Sequence, residues 1–135
     1  MTLDRERMIA QCLDGFFLAL NTKNMARLRQ TFTPECQMII PSSSLFYKHA
    51  DDVMIHLEDF AVSFTTINFH DFIIAADPVA ARVAATFTVT LTDPAGAVLE
   101  MRNANFFEFA EDHRIARVLI IATQPLDAGF QAGRS

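Results

Sequence analysis

FFLALNTKNMARLRQTFTPECQMIIP, residues Phe16–Pro41, carries more structural information than any other part of this 135-residue chain. It predicts the end of an apolar helix, a short polar turn, a second helix and a buried strand. Asn24 is placed to cap the second helix, because an asparagine oxygen accepts hydrogen bonds from unpaired N–H groups at a helix start. Pro34 prevents that helix from continuing, and a short strand follows over Gln37–Ile40.

Two further helices flank this stretch. The first is predicted to begin near Thr2 and to end at Asn21, and the third is predicted to begin at Asp51, which can cap it. Both show apolar residues at helical spacing, which indicates one inward face on each. These faces consist of Ile9, Leu13, Phe16 and Leu20 on the first helix, and of Val53, Leu57, Phe60 and Phe64 on the third.

Strands are predicted for the rest of the chain, over 67–76, 82–92, 99–110 and 114–123. The segment 82–92 alternates between apolar residues and threonines, as a strand with one buried face does. Its inward residues are Val83, Ala85, Phe87, Val89 and Leu91. Helices followed by antiparallel strands indicate an α+β domain, here one curved sheet with the helices across its concave face.

Length and composition indicate a single domain over 1–125 and a flexible, Gly- and Ala-rich C-terminal tail over 126–135. The formal net charge is -5, and the 11 basic residues are scattered along the chain. Nucleic acid binding needs a concentrated basic face, so we expect no nucleic acid partner. With no long apolar run and a charged N-terminus, we expect a cytoplasmic protein without a membrane partner.

Metal and cofactor sites are not expected from the residue spacing. Cys12 and Cys36 lack metal-type spacing and are interpreted as buried thiols. His49 and His56 have no third ligand at a telling distance. The chain has only 4 glycines, which do not cluster, so a phosphate-binding loop is also not expected.

From Arg5 to about Thr123 this layout resembles the nuclear transport factor 2-like superfamily, which includes ketosteroid isomerases and SnoaL-like polyketide cyclases. The resemblance implies a cone-shaped, curved antiparallel (mixed) sheet wrapped around three N-terminal helices, with an apolar cavity. It also suggests a homodimer. The sheet face turned away from the helices carries Phe106, Leu119 and Ile121, an apolar patch that water would not favour.

Comparison with the ketosteroid isomerases, marked by the shared Ala-Leu-Asn element at 19–21, aligns three catalytic positions. The isomerase tyrosine corresponds to Phe16, the general base to Ile40 and the protonated aspartate to Asn105. Phe cannot donate a hydrogen bond and Ile cannot accept a proton. Ordinary ketosteroid isomerase activity is therefore expected to be absent.

The same comparison orients the last two strands. It directs Asn103 and Asn105 towards the cavity, together with Val118 and Ile120 from the final strand. A buried amide needs a hydrogen-bond partner. Each asparagine therefore either bonds a neighbouring group and holds the sheet, or grips a carbonyl or hydroxyl group of a substrate.

Acid–base chemistry depends on a few polar residues. His56 lies on or near the inward side of the third helix and is the best candidate for proton transfer, although a lone histidine on a partly apolar helix is more often a satisfied core residue. Tyr47, expected in the loop before that helix, is either an oxyanion donor or a loop anchor. His70 and Asp71 are adjacent on a strand and should point to opposite faces, with Asp71 inward as an outside candidate for a base. His113 is expected at the surface.

Two functions remain open. In the first, the chain is a cofactor-free isomerase, cyclase or dehydratase that acts on a small apolar carbonyl compound, such as a polyketide, terpenoid or steroid-like molecule. His56 moves the proton, while Tyr47, Asn103 and Asn105 hold the enolate. The apolar binding residues are Phe16, Ile40, Phe60, Val118 and Ile120. In the second, the chain has the same cone-shaped fold but is a non-catalytic small-molecule-binding or assembly domain.

Overall fold

Three helices precede most of the sheet in the computed structural model, which describes residues 2–123. The first, α1, spans 5–21 and is made of an α-helical part (Arg5–Ala10), a π-helical part (Gln11–Leu18) and a last α-helical turn (Ala19–Asn21). The second, α2, is Met25–Thr31, and the third, α3, is Ala50–Ser63. None of the described helices is both long enough and apolar enough to span a lipid bilayer.

The predicted helix starts and capping residues are confirmed only in part. Asn24 caps α2 as predicted, since its Oδ1 accepts a hydrogen bond from the Arg27 backbone N–H at 3.1 Å. The helix α1 starts at Arg5 rather than near Thr2, with Asp4 as its cap. Asp51 does not cap α3. It lies in the first turn of that helix, where its carboxylate pairs with Arg29.

Six strands form one curved, mixed sheet that does not close. The strands are β1 (Phe32–Ile40), β2 (Leu45–Tyr47), β3 (Thr66–Asp77), β4 (Arg82–Thr92), β5 (Val98–Phe109) and β6 (Ile115–Ile121). Their order in the sheet is β2-β1-β6-β5-β4-β3, and of the neighbouring pairs only β1 and β6 are parallel. The α+β fold is therefore confirmed.

Beyond shifts of one or two residues at the ends of β3, β5 and β6, two strand assignments differ from the sequence prediction. The strand β1 begins five residues earlier, at Phe32, and includes Pro34. Its pairing with β6 shifts register between Phe32 and Gln37. A proline is tolerated there because a bulge needs no ladder N–H. Tyr47 lies in the short strand β2, where it pairs with Met38, and not in a loop.

The core lies between the helices and the concave face of the sheet. The buried face of α1 includes Met8 and Cys12, whereas the predicted Ile9 and Leu13 are only half-buried. The wider π-helical turn also buries two successive aromatic residues, Phe16 and Phe17. Their rings meet edge to face with centroids 5.1 Å apart, a favourable arrangement for aromatic pairs.

A bulge in β3 changes which side chains face the core. Asp71 has φ +55°, and the β3–β4 register shifts between His70 and Ile73. The extra residue brings Phe69 and Phe72, three positions apart, to the same side of the sheet. It also brings the His70 Nδ1 and an Asp71 carboxylate oxygen to 3.2 Å. The expectation that these two side chains point to opposite faces is wrong.

His113 is buried rather than exposed, with only 8% of its surface accessible. Its Nε2 accepts a hydrogen bond from the Asp4 backbone N–H at 2.8 Å. The turn between β5 and β6 therefore lies against the start of α1, a contact that local sequence does not indicate. The predicted domain range, 1–125, and the predicted tail, 126–135, extend outside the described residues and stay predictions.

Candidate functional site

An apolar cavity of about 40 Å³ lies between α1, α3 and the concave face of the sheet. Three of its lining residues are polar: His56, Asn103 and Asn105. Such a site, mostly hydrophobic with a few convergent polar groups, is typical of small-molecule binding. Its apolar lining residues are Phe16, Leu20, Ile40, Leu57, Phe60, Phe69, Phe87, Val89, Leu91 and Ile120.

Strand and helix periodicity explain how the polar groups reach this cavity. Asn103 and Asn105 occupy alternate positions on β5 and therefore share its inner face. His56 and Phe60 are four residues apart on α3, so they lie on one side of the helix. Asn105 pairs with Ile120 across the β5–β6 ladder, which brings both residues to the same wall.

His56 is held by Tyr47. The Tyr47 hydroxyl lies 3.0 Å from the His56 Nδ1, and the two ring centroids are 5.0 Å apart. Both side chains are half-buried. His56 lines the cavity, whereas Tyr47 is not among the described lining residues. The tyrosine therefore contacts the imidazole at Nδ1 without itself lining the cavity.

The two asparagines differ in what they bond. The Asn103 Oδ1 accepts a hydrogen bond from the Thr123 backbone N–H at 3.0 Å, with the Thr123 hydroxyl at 3.5 Å. It therefore anchors the chain just after β6. The Asn105 Oδ1 is fully buried and has no hydrogen-bond partner among residues 2–123. A buried polar atom without a partner calls for an explanation.

Several other predicted site residues lie elsewhere. Asp71 does not point inward, because its side chain is 74% exposed at the β3 bulge and pairs with His70. Val118 is fully buried but does not line the cavity. Phe16, Ile40, Phe60 and Ile120 do line it. Their role in substrate binding stays a prediction.

The cavity also contains aromatic and aliphatic residues that the sequence analysis did not assign to the site. Phe87, Val89 and Leu91 were expected on the inner face of β4, and that alternation was the signal for their position. Phe69 had no such signal, since it reaches the cavity in a strand whose alternation is interrupted by the bulge.

The thiols offer no nucleophile. Burial raises the pKa of Cys36 to about 12, and it raises the pKa of Cys12 even further above its ordinary value. Both side chains are therefore neutral thiols at physiological pH, and the thiolate is the reactive form. Over residues 2–123, no group of three or more His, Cys, Asp or Glu side chains is arranged to hold a metal ion.

Comparisons with known proteins agree with this architecture. The structure is similar to that of a candidate polyketide cyclase from Xanthomonas campestris pv. campestris, with a TM-score of 0.77, 15% sequence identity, and coverage of 96% of this chain and 98% of that one. It is also similar to PrhC from Penicillium brasilianum NBRC 6234, with a TM-score of 0.80, 15% identity, and coverage of 96% and 88%. A third similar structure is AclR, a candidate hydroxylase from Streptomyces galilaeus, with a TM-score of 0.74, 18% identity, and coverage of 96% and 98%.

At these identities the similarity shows the fold alone. Among curated proteins, no sequence matches this chain. The profile of the SnoaL-like domain, in contrast, matches residues 13–118, from the middle of α1 into β6. Of the described residues that line the cavity, this range includes all except Ile120. The resemblance inferred from helix and strand layout is thus confirmed, and the chain belongs to the SnoaL-like domain family.

Proposed function

We propose that this protein is a cofactor-free isomerase, cyclase or dehydratase that acts on a small apolar carbonyl compound, such as a polyketide, terpenoid or steroid-like molecule. One observation carries the proposal: His56 and Asn105 line the same apolar cavity. A proton-transfer group and an amide that can meet a substrate oxygen are the minimum for enolate chemistry. The fold shared with a candidate polyketide cyclase supports the same class of substrate.

The expected chemistry uses one titratable group. Among residues 2–123, His56 is the only ionisable residue that lines the cavity. Its Nε2 accepts a proton from the carbon next to the substrate carbonyl, and the resulting negative charge collects on the carbonyl oxygen. The same imidazole then returns the proton to a different carbon, or to a leaving hydroxyl group. Proton transfer by a positioned side chain contributes about 10²–10⁴ in rate.

The asparagine amides supply the second element of this mechanism. Since the Asn103 Oδ1 is bonded to Thr123, the NH₂ group is what Asn103 offers to a substrate oxygen. Hydrogen-bond donors in a water-poor site stabilise a developing oxyanion strongly, because little competing solvent is present. The apolar walls orient the hydrocarbon part of the substrate.

A non-catalytic binding domain is the second candidate function. It is favoured by the size of the cavity, because about 40 Å³ is far below the roughly 300–1,000 Å³ of typical ligand sites. Aromatic side chains such as Phe60 and Phe69 occupy much of the cup. A substrate of two or more rings can enter only if some of these side chains move.

Deuterium exchange tests the proposal without knowledge of the product. The protein is incubated in D₂O with a panel of cyclic ketones, including 2-tetralone, and incorporation of deuterium beside the carbonyl is followed by NMR. We expect exchange above the buffer rate, and a loss of about 10²-fold or more in His56→Gln.

His49→Gln is the matched control, since His49 is exposed on the surface and pairs with Glu35 at 3.2 Å. It should exchange at the wild-type rate. Equal rates for the wild type and His56→Gln would contradict the proposed mechanism. Ketone binding without any catalysed exchange would favour the binding-domain alternative.

A further inference from the structure

Asn105 keeps an unsatisfied amide oxygen in the buried wall of the site. The residue is 2% exposed, lines the cavity, and its Oδ1 finds no hydrogen-bond donor in the described part of the chain. Burying a polar atom without a partner costs free energy, and native proteins retain few such atoms. The oxygen itself has no accessible surface, so a donor in the adjoining cavity reaches it when the amide rotates towards that cavity.

Asn103 shows that an amide oxygen on this face of β5 can find a hydrogen-bond donor within the protein. It sits two residues away on the same inner face of β5 and lines the same cavity, yet its Oδ1 is bonded to Thr123. The strand β5 therefore carries one amide oxygen that is hydrogen-bonded within the protein, that of Asn103, and one that is not hydrogen-bonded in the described part of the chain, that of Asn105. The amide of Asn105 is here called the uncommitted amide. Only the uncommitted amide, that of Asn105, is available to recognise a ligand through its oxygen.

The chemistry of the missing partner follows from the atom that lacks it. An amide oxygen only accepts hydrogen bonds, so a ketone or ether oxygen leaves Asn105 unsatisfied. A hydroxyl group supplies the donor. If water occupies the place, a ligand that displaces it must replace its hydrogen bond or lose affinity. The ligand therefore carries a hydroxyl group where it meets Asn105.

The residues that line the cavity indicate the class of ligand more closely. Phenylalanine rings at Phe16, Phe60 and Phe87 line the same cavity as Asn105, and such rings prefer edge-to-face or offset contacts with another flat ring. We propose that Asn105 is a ligand-recognition residue, and that the site binds a planar apolar compound through a phenol or enol hydroxyl group. The inference rests on the proposed function, because it takes this cavity as the ligand site.

The test uses two probes of nearly the same shape, phenol and toluene, which differ in a hydroxyl against a methyl group. Their affinities are measured by NMR titration for the wild type, Asn105→Leu and the surface control His49→Gln. We expect the ratio of phenol to toluene affinity to fall about tenfold or more in Asn105→Leu, since leucine has a similar volume but cannot accept a hydrogen bond. The ratio should change by less than about threefold in His49→Gln, because His49 is exposed and does not line the cavity.

The melting temperature is a second measurement. A purely structural role of Asn105 would make Asn105→Leu melt lower than the wild type, whereas a ligand-recognition role would not. Replacing an unsatisfied buried amide by an apolar group of similar shape is neutral or stabilising, so Asn105→Leu should melt at or above the wild-type temperature. Asn103→Leu should melt lower, because it loses the bond to Thr123. A lower melting temperature for Asn105→Leu, or an unchanged affinity ratio, would overturn the inference.

These outcomes are separable from those of the exchange experiment. If ketones exchange through His56 but the phenol preference is independent of Asn105, the proposed function stands and this inference fails. If no exchange is catalysed but the preference disappears in Asn105→Leu, the recognition role stands and the enzyme does not.

Discussion

At the scale of single residues, the contact between Tyr47 and His56 has the clearest chemical consequence. A hydrogen bond at the Nδ1 of an imidazole fixes which nitrogen carries the proton and holds the ring in one orientation. Tyr47 belongs to a strand that pairs with β1, so the hydroxyl has a rigid support. We interpret Tyr47 as a positioning residue that acts through His56, and not as the oxyanion donor that the sequence analysis considered.

Tyr47→Phe tests that role. It removes the hydroxyl group and leaves the aromatic ring, so the imidazole loses its partner at Nδ1 while the packing remains. We expect deuterium exchange to fall about tenfold, and the ¹⁵N spectrum of His56 to change from one tautomer to a mixture of two. A wild-type tautomer in the variant would contradict the positioning role, and His49→Gln again serves as the control.

At the scale of elements, the π-helical part of α1 packs closely against α2. Gly15 lies in this part, and its carbonyl accepts a hydrogen bond from the Thr31 hydroxyl at 3.0 Å. A methyl group built on Gly15 would overlap the Thr31 Oγ1 and lie 3.0 Å from the Arg27 Nη1. The two helices can approach this closely because position 15 has no side chain. π-Helical segments often occur at functional sites, and Phe16 of this eight-residue part lines the cavity.

Gly15→Ala should therefore lower the free energy of unfolding by about 1–3 kcal/mol, as overpacking does, although alanine is the better helix former. The measurement is urea unfolding of Gly15→Ala, Thr31→Ala and the double variant. In the Thr31→Ala background the overlap is relieved, so the same glycine substitution should cost less or even stabilise. Simple additivity of the two substitutions would contradict this account of the contact.

At the scale of the whole molecule, an apolar row crosses the outer face of the sheet. Cross-strand pairing places Phe46 opposite Ile39, Ile39 opposite Leu119, and Leu119 opposite Phe106. Phe46 and Phe106 are 55% and 45% exposed. Contiguous apolar surface of this kind is unusual on a monomer and often marks an interface. The homodimer expected from the sequence stays a prediction, and this row is the surface we expect it to bury.

Light scattering at micromolar concentration should give twice the chain mass of 15.1 kDa. Phe106→Lys should shift the protein to a monomer, because a charge at the centre of an apolar interface is costly to bury. Val62→Lys is the matched control, as Val62 is 79% exposed on α3, away from this face, and should leave the mass unchanged. A monomeric wild type, or a Phe106→Lys dimer, would exclude this interface.

Local pattern alone was sufficient for much of this architecture. The bounds of β4 at Arg82–Thr92 and the cap at Asn24 agree with the prediction, because each depends on neighbouring residues: alternation in a half-buried strand, and a side chain that reaches the next turn. The inward direction of Asn103 and Asn105 also follows from period two along β5. Once the helices and strands were assigned, the resemblance to the family predicted the curved sheet around the helices and the apolar cavity.

Other features depended on contacts between residues far apart in the chain. His113 is buried because the start of α1 donates a backbone N–H to it, 109 residues away. Asp71 turns outward because a bulge lets Phe69 and Phe72 both pack on Phe17. The difference between Asn103 and Asn105 arises in the same way. Their residue type and strand face are alike. The position of Thr123 in three dimensions gives the Asn103 oxygen a donor, whereas the Asn105 oxygen finds none among residues 2–123.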